Sequence, residues 1–168
     1  MSTPVRVDLV AGAARGIGAA TVLELATAGW SVVAVDLARD DPTLPYALAT
    51  SSDLAAVVAE AERAAGAGTC RSFVAEVGSL DELARAVAFT ERTFGGLDAA
   101  IACAGVIGRG AAHWELPVEH ERTVLEVNLQ GVLNLARAAV PALLRRRNRA
   151  PGGSSPSRRP RPPAACRC

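Results

Sequence analysis

The sequence contains no lysine: its 18 basic residues are all arginines, set against 17 acidic residues. Tyr46 is the single tyrosine, and aromatic residues make up 4% of the 168 positions. The absence of lysine excludes any mechanism that needs a lysine ammonium group from this chain. Hydrophobic residues nevertheless account for 50% of the chain. That is enough apolar material for one globular domain with a core, and it excludes a disordered or collagen-like chain.

Long apolar runs, a signal peptide and paired cysteines are also missing. No stretch has the apolar length expected of a membrane span, and residues 1–10 lack the regions of a signal peptide. Cys70 and Cys103 lie in apolar runs, which favours buried free thiols, and Cys166 and Cys168 are too close for the usual zinc or redox spacings. Neither histidine has a partner at metal-ligand spacing. We therefore expect a cytoplasmic chain without a disulfide framework, a metal site or a membrane contact.

Charge and composition change near residue 145. Residues 1–144 hold 10 arginines and all 17 acidic residues, a formal charge of −7, whereas residues 145–168 hold 8 arginines and no acid. From Pro151 the chain consists of Pro, Gly, Ser, Arg, Ala and Cys alone, which cannot build a packed element. The sequence thus predicts a folded domain over 1–146 and a disordered Arg/Pro-rich tail over 147–168.

The arginines at 145–147 have two further interpretations. They could form an ordinary solvated helix end beside the C-terminal dipole, or help the tail bind nucleic acid or an anionic surface electrostatically. Specific nucleic-acid recognition is not expected, because the tail lacks aromatic residues for base stacking.

Predicted strands and helices alternate along the domain. Apolar runs predict strands over 5–11, 31–36, 70–77 and 97–102, and helical periodicity predicts helices over 19–28, 53–65, 79–94 and 117–146. Ser51 and Ser52 are capping candidates for the second helix, Ser79-Leu-Asp-Glu82 forms a capping box for the third, and a kink is expected near Asn128. Continuously apolar strands predict a parallel sheet with helices on both faces, the doubly wound α/β class.

A glycine-rich turn, Gly12-Ala-Ala-Arg-Gly16-Ile-Gly18, joins the first predicted strand to the first helix. Glycines here permit a tight turn, let backbone N–H groups approach a pyrophosphate, and let helix and strand pack closely. The spacing is not the common G-x-G-x-x-G, so the position between strand and helix carries the argument. Asp36 ends the second strand, where a carboxylate accepts ribose hydroxyls and repels a 2′-phosphate. Asp36 therefore favours NAD, whereas Arg15, inside the glycine turn, weakly favours NADP; on balance the pattern favours NAD over NADP. The alternative interpretation of Asp36 is a solvated acid at the end of the strand.

These residues resemble the short-chain dehydrogenase/reductase family over residues 5–146. Gly96-Leu97-Asp98 followed by Ile101-Ala-Cys-Ala-Gly105 is similar to its N-N-A-G segment, and Asn128 stands where the family has an asparagine of its catalytic tetrad. The resemblance implies a Rossmann-type sheet, truncated here after about four strands, that binds NAD. It implies that the cofactor-binding residues are Gly12, Ala14, Arg15, Gly16, Ile17, Gly18, Asp36, Leu37, Glu76, Val77, Ala102, Ala104, Gly105 and Asn128. It also implies a homo-oligomeric parent enzyme acting on a small-molecule alcohol or ketone.

A narrower similarity is to the mycofactocin-associated subgroup, whose insert after the second strand resembles residues 45–54 here. In that subgroup NAD is thought to stay bound while a peptide-derived redox partner regenerates it. Three positions depart from the family: Ala11 replaces a threonine, Glu76 an aspartate, and Ala102-Cys103 an asparagine pair. The family's catalytic serine, tyrosine and lysine have no counterparts, because Tyr46 falls in the insert and lysine is absent. Asn128 is thus the one tetrad residue expected in this chain.

The tail has the composition of a shifted reading frame. Absent lysine and abundant alanine and arginine suggest a GC-rich gene, in which shifted frames encode Arg, Pro, Ala, Gly and Ser. If serine is encoded by TCN codons and arginine by CGN codons, a one-base shift from Pro151 encodes the pattern Gly-Arg-apolar-apolar-Ala-apolar-Ser-like. The family's fifth strand has this pattern where it leads into the catalytic serine. The hypothesis is a frame slip near residues 148–151 that replaced the catalytic half.

Three functional hypotheses follow. The first is the cofactor-binding portion of an NAD-dependent oxidoreductase that transfers hydride between NAD and an alcohol or ketone. The second is a non-catalytic NAD-binding or interaction module with a basic tail. The third is an unstable, inactive fragment whose fourth strand is left as an exposed apolar edge.

Overall fold

The computed structural model describes residues 5–65 and 68–149. The predicted order of strands and helices is confirmed. The elements are β1 (Val7–Ala11), α1 (Gly16–Thr27), β2 (Ser31–Asp36), α2 (Ser51–Ala64), β3 (Cys70–Val74), α3 (Leu80–Phe94), β4 (Ala99–Ala102), α4 (Val118–Leu125) and α5 (Gly131–Arg149). A short 3₁₀ turn (His113–Glu115) precedes α4, and a π-helical turn (Glu126–Gln130) joins α4 to α5. Most of the predicted tail lies outside the described residues.

The four strands form one parallel sheet in the order β3-β2-β1-β4. The chain therefore builds outward from β1 in one direction through β2 and β3, and then crosses to the other side for β4. This reversal between β1 and β4 is the switch point at which a doubly wound sheet opens a crevice beyond the carboxyl ends of its strands. The predicted fold class, a Rossmann-type parallel sheet of four strands, is confirmed.

Both faces of the sheet are covered because consecutive strand residues point in opposite directions. Leu9 and Val33 pack with α3 and α5 on one face, while Val10 and Val32 pack with α1 and α2 on the other. All four side chains are fully buried. Central strands of this kind need apolar residues at every position, which is why β1 and β2 are continuous apolar runs in the sequence.

Element boundaries differ from the predictions where local contacts decide them. β3 ends at Val74 rather than at residue 77, because its partner β2 ends at Asp36 and the last bond runs from Ala75 N to the Asp36 carbonyl, at 3.0 Å. The cap of α2 is Thr50 rather than Ser51 or Ser52. The Thr50 hydroxyl accepts from the Asp53 N–H at 3.2 Å, and the Asp53 carboxylate accepts from the Thr50 N–H at 2.7 Å, a complete capping box.

β4 and the last helix leave apolar surface uncovered. β4 is an edge strand, and its four residues are only partly buried or exposed. A row of large apolar side chains on the α4–α5 helix is about half exposed: Val118, Leu125, Leu129, Val132, Leu133, Val140 and Leu144. An open strand edge beside an apolar helix face promotes association between chains.

The α4–α5 helix is also long. Among the described residues, one continuous helix, Val118–Arg147, has the length and mean apolarity of a membrane span. The sequence predicts this helix over 117–146, but charged residues interrupt its apolar positions, so it contains no continuous apolar run of that length. Core helices satisfy the same test, and α5 packs against α3 and β4.

The end of α5 is tied to the sheet by an arginine rather than left in solvent. Nε and Nη2 of Arg146 donate to the two oxygens of Asp98 at 3.0 and 3.2 Å, and Asp98 also accepts from the Val7 N–H at 2.9 Å. Arg145 pairs with Glu91 at 2.8 Å. The solvated-end interpretation is therefore wrong for Arg146, whereas Arg145 remains 59% exposed. Arg146 joins the last helix to the start of β1.

We expect Arg146→Met to lower the free energy of unfolding by about 1 kcal/mol, because it leaves a half-buried Asp98 without its bidentate partner. Arg145→Met is the matched control, since Arg145 is 59% exposed and an exposed pair contributes less. Urea unfolding of both variants measures the difference. Equal losses in the two variants would contradict this role for Arg146.

Candidate cofactor-binding site

A cleft of about 280 Å³ opens at the carboxyl ends of β1, β2 and β4. It is bounded by the glycine turn, the end of β2, the loops after β3 and β4, and the segment between β2 and α2. The lining residues are Gly12, Arg15, Gly16, Ile17, Asp36, Leu37, Asp41, Leu44, Leu48, Ala49, Ala75, Glu76, Val77, Cys103, Ala104, Gly105, Val106 and Val127.

Ten of the predicted cofactor residues line this cleft, and four do not. Ala14 is buried behind the turn, Gly18 is packed inside α1, Ala102 lies on β4, and Asn128 lies behind the loop that follows β4. Of these four, Ala14 and Asn128 contact residues of the cleft, through hydrogen bonds to Asp36 and Val106. The other ten come from four separate loops that the parallel sheet brings to one edge.

The glycine turn lies close against β2 and β4. The N–H groups of Gly12 and Ala13 both donate to the Val35 carbonyl, at 2.8 and 3.0 Å. Gly12 has φ +81°, and a Cβ added there would lie 2.5 Å from the Cα of Ala104. A Cβ on Gly18 would likewise overlap the backbone of Gly12. Only glycine fits at these two positions.

The N-terminus of α1 points its unpaired N–H groups toward the cleft. Arg15 is the N-cap residue, no side chain caps the helix, and its first turn holds no acidic residue. Within the described residues, nothing lies within 4 Å of a Cβ added to Gly16, which has φ +58°. Open space before an uncapped, positive helix end fits an anionic group such as a diphosphate.

The Asp36 carboxylate is held in place at the end of β2. One oxygen accepts from the Ala14 N–H at 2.9 Å and the other from the Ala38 N–H at 3.1 Å. Ala38 has φ +55°, in the left-handed region that residues other than glycine seldom adopt. Each oxygen keeps a further acceptor site, so the carboxylate can accept hydroxyl groups from the cleft. The interpretation of Asp36 as a freely solvated acid is not what the structure shows.

The loop after β3 is held by two acids. The Glu76 N–H donates to the Glu82 carboxylate at 2.7 Å, and the Glu76 carboxylate accepts from Arg39 at 2.9 Å. The Ser79 hydroxyl accepts from the Glu82 N–H at 3.3 Å, but the Glu82 side chain does not return to Ser79. The predicted capping box is therefore only half formed, because Glu82 instead anchors the loop at the rim of the cleft.

Asn128 positions the loop after β4. Its side-chain oxygen accepts from the Val106 N–H at 2.9 Å, and its amide donates to the Val106 carbonyl at 2.8 Å. Asn128 lies in the π-helical turn, which widens the helix where the sequence predicted a kink. Asn128 is therefore a positioning residue for the Gly105–Val106 side of the cleft.

Sequence reasoning missed a second asparagine. Asn134 is 3% exposed and donates to the carbonyls of Val77 and Gly78, at 3.1 and 2.8 Å. It fixes the loop after β3 to α5, as Asn128 fixes the loop after β4. The available signal was an asparagine inside the apolar run of residues 132–136 in α5.

The segment between β2 and α2 closes over the cleft. The Tyr46 hydroxyl accepts from the Ile107 N–H at 2.9 Å and donates to the Ile107 carbonyl at 3.1 Å. The Thr43 and Thr123 hydroxyls are 2.8 Å apart. This segment thus contacts the loop after β4 and helix α4, and five of its residues line the cleft: Leu37, Asp41, Leu44, Leu48 and Ala49.

The two described cysteines are free thiols. Cys70 is fully buried in β3, and this burial raises the pKa of its thiol to about 11. Cys103 is partly exposed at the cleft. Cys166 and Cys168 lie outside the described residues. Over 5–65 and 68–149, no three His, Cys, Asp or Glu residues come together as metal ligands.

Comparison with known proteins assigns this chain to a family. The family model for short chain dehydrogenase matches residues 6–152. An uncharacterized NAD-dependent oxidoreductase of Mycobacterium tuberculosis (strain ATCC 25618 / H37Rv) is 41% identical over 142 residues, 83% of this chain and 50% of the relative. The (-)-trans-carveol dehydrogenase of Rhodococcus erythropolis is 31% identical over 83% of this chain and 50% of its own length.

Solved structures of short-chain dehydrogenases have a similar fold. The carveol dehydrogenase from Mycobacterium avium in complex with NAD has a TM-score of 0.78 at 27% identity, over 84% of this chain and 50% of its own. A short chain dehydrogenase from Mycobacterium paratuberculosis bound to NAD has a TM-score of 0.78 at 31% identity, with 84% and 52% covered. This chain thus spans about half the length of these relatives. It belongs to the short-chain dehydrogenase family.

Proposed function

We propose that this chain is the NAD-binding half of a short-chain oxidoreductase, and that the whole enzyme transfers hydride between NAD and a small-molecule alcohol or ketone. One observation carries the proposal: an uncapped helix N-terminus and a glycine cradle face the same cleft as the fixed Asp36 carboxylate. An anion site and a hydroxyl acceptor at this spacing suit a diphosphate and a ribose. Relatives named as NAD-dependent, or solved with NAD, support the choice of cofactor.

Different residues of the cleft bind different parts of the cofactor. The N–H groups at the start of α1 bind the diphosphate, the Asp36 carboxylate accepts the ribose hydroxyls, and Glu76-Val77 border the adenine. Asn128 holds Val106, and so orients the loop beside the nicotinamide end. When bound, NAD supplies the acceptor for a hydride from the alcohol. Leu48 and Ala49 of the insert line the same cleft, which limits the access of water to a bound cofactor.

Proton transfer is the step that these residues do not provide. The family resemblance implies a tyrosine base whose pKa is lowered by a lysine, but the chain has no lysine and its one tyrosine is bonded to Ile107. We therefore propose that the chain as written binds NAD without oxidising alcohols. A non-catalytic NAD-binding module is the second candidate, and the same missing base favours it.

The reading frame decides between these two candidates. If the frame-slip hypothesis is right, sequencing the gene across codons 140–168 and beyond will show that a one-base correction opens a frame with a serine followed by Tyr-x-x-x-Lys. The whole protein is then an ordinary oxidoreductase. If the frame stands as written, the chain is an NAD-binding module and the enzyme proposal fails for it.

NAD binding can be tested directly by calorimetry. We expect NAD to bind about tenfold or more tightly than NADP, because the Asp36 carboxylate accepts ribose hydroxyls and repels a 2′-phosphate. Asp36→Ser should weaken NAD binding by about tenfold and remove the discrimination against NADP. Asp81→Ser, an exposed acid at the start of α3, is the matched control and should change neither affinity. Equal affinity of the unmodified chain for NAD and NADP would contradict this role of Asp36.

A further inference from the structure

A second cavity, of about 520 Å³, adjoins the cofactor cleft on the side of the insert. Arg15, Arg109 and Tyr46 form its charged and aromatic lining, and Ala47 and residues 105–107 complete it. Arg15 and residues 105–106 line both cavities, whereas Arg109 lines only the second. No acidic residue from the described part of the chain lines this second cavity.

Tyr46 holds one of the two arginines in place. Its hydroxyl is bonded to both backbone groups of Ile107, which fixes the ring against the loop after β4. The Arg109 guanidinium lies over this ring, 4.7 Å from its centroid, a cation–π contact. This contact leaves the N–H donors of Arg109 uncommitted, and within the described residues they form no hydrogen bond or ion pair.

The other arginine is held from the opposite side. Arg15 donates one N–H to the Ala47 carbonyl at 3.1 Å, and a guanidinium has five N–H donors. The pKa of Asp53 is lowered mainly by hydrogen bonds with Thr50. The positive charge of Arg15 also lowers it, but it is the smallest of the causes. Arg15 therefore keeps both charge and donors for a ligand.

Arg15 and Arg109 line one cavity, and neither forms an ion pair with an acidic residue in the described part of the chain. Arg39, Arg71 and Arg85, by contrast, each pair with a neighbouring glutamate. Guanidinium groups match the geometry of phosphate oxygens, with strong charge-assisted bonds. We propose that Arg15, Arg109 and Tyr46 form a phosphate-binding site beside the cofactor cleft, which takes either the diphosphate of the dinucleotide or a separate phosphate group. The first case rests on the proposed function; the second does not.

The test measures the binding of inorganic pyrophosphate by calorimetry at low ionic strength, so that no dinucleotide is needed. We expect Arg109→Gln and Arg15→Gln each to weaken pyrophosphate binding by about tenfold, through the loss of one charge-assisted contact. Arg137→Gln is the matched control. It removes the same charge from an exposed position on α5 that lines neither cavity, and it should leave binding within about twofold.

Arg109 is the decisive position, because the uncapped start of α1 could bind pyrophosphate without it. Binding that is unchanged by Arg109→Gln, or weakened equally by Arg137→Gln, would overturn the proposal, as would an absence of pyrophosphate binding. Thermal melting of each variant checks that it folds.

Competition identifies the source of the phosphate. If NAD displaces pyrophosphate and Arg109→Gln also weakens NAD binding, the site holds the cofactor's own diphosphate. If pyrophosphate still binds the NAD-saturated chain, the site takes a separate phosphate. If NAD does not bind at all while pyrophosphate binding depends on Arg109, the proposed function fails and this inference stands.

Discussion

Replacing Asp8 with valine is expected to raise the free energy of unfolding by about 3 kcal/mol at pH 7. Asp8 is the second residue of β1 and is 1% exposed, and neither of its carboxylate oxygens has a hydrogen-bond partner among the described residues. Its burial raises the pKa from 3.8 to about 6, and the neighbouring Leu9 N–H offsets this only in part. Each pKa unit corresponds to about 1.4 kcal/mol, which gives the expected gain. Valine is close to aspartate in size and matches Val10, whose side chain is buried on the same face of the sheet.

The sign of the pH dependence follows from the direction of the shift. Between about pH 4 and pH 6 the folded chain keeps a proton on Asp8 that the unfolded chain has lost, so stability falls as the pH rises through this window. The unmodified chain should therefore unfold in less urea at pH 7 than at pH 4.5, apart from the contributions of other groups.

The Asp8→Val variant should lack this component of the slope, and Asp8→Asn, which keeps an unpaired polar group, should fall between the two. Urea unfolding at several pH values measures all three chains. A valine variant that is less stable at pH 7, or that keeps the same slope, would show that Asp8 has a partner in solution.

Replacing Gly12 with alanine is expected to lower the free energy of unfolding by more than about 3 kcal/mol and to abolish NAD binding. The new methyl group would overlap the backbone of residues 103–104, and the +81° φ angle adds strain for any L-residue. Backbone cannot move aside as a side chain can, so the turn would have to leave the loop after β4. Because Gly12 and residues 103–104 line the cleft, that movement changes its shape.

Two other glycines separate folding from binding in this experiment. Gly16 and Gly95 have φ angles of +58° and +80° and open space around a new Cβ, so alanine at either position should cost about 1 kcal/mol of stability. Gly16 faces the cleft, and its methyl group should also weaken NAD binding, whereas Gly95, at the end of α3, should leave binding unchanged. Urea unfolding and calorimetry on the three variants measure both effects. A Gly12→Ala chain as stable as Gly95→Ala would refute the close approach to residues 103–104.

The sequence predicted the fold well because the fold depends on local patterns. Continuous apolar strands, helical periodicity and the glycine turn led to the parallel sheet, to its class and to the carboxyl edge as the site. The same patterns placed the C-terminal end of β3 and the cap of α2 wrongly. Those boundaries depend on where a neighbouring strand stops and on which of several adjacent hydroxyls reaches a backbone N–H.

The candidate site was predicted in part. Gly12, Gly16 and Asp36 follow from their positions after predicted strands, and the structure brings them to one cleft. Asn134 and Arg109 were not predicted. Their roles depend on carbonyl groups and an aromatic ring that are distant in the sequence, and no motif marks either residue.

The sequence by itself determined the class of this protein, the glycine cradle, the acid after the second strand and the absence of a lysine-assisted base. Each of these is a matter of residue type at a position within a single element, or of composition. Only the tertiary structure decided that Tyr46 bonds to Ile107, that Arg146 ties α5 to Asp98, and that Arg15 and Arg109 share a cavity. The first two contacts join residues 61 and 48 positions apart. Such contacts arise when the packed sheet brings its loops to one edge, and no local pattern along the chain encodes them.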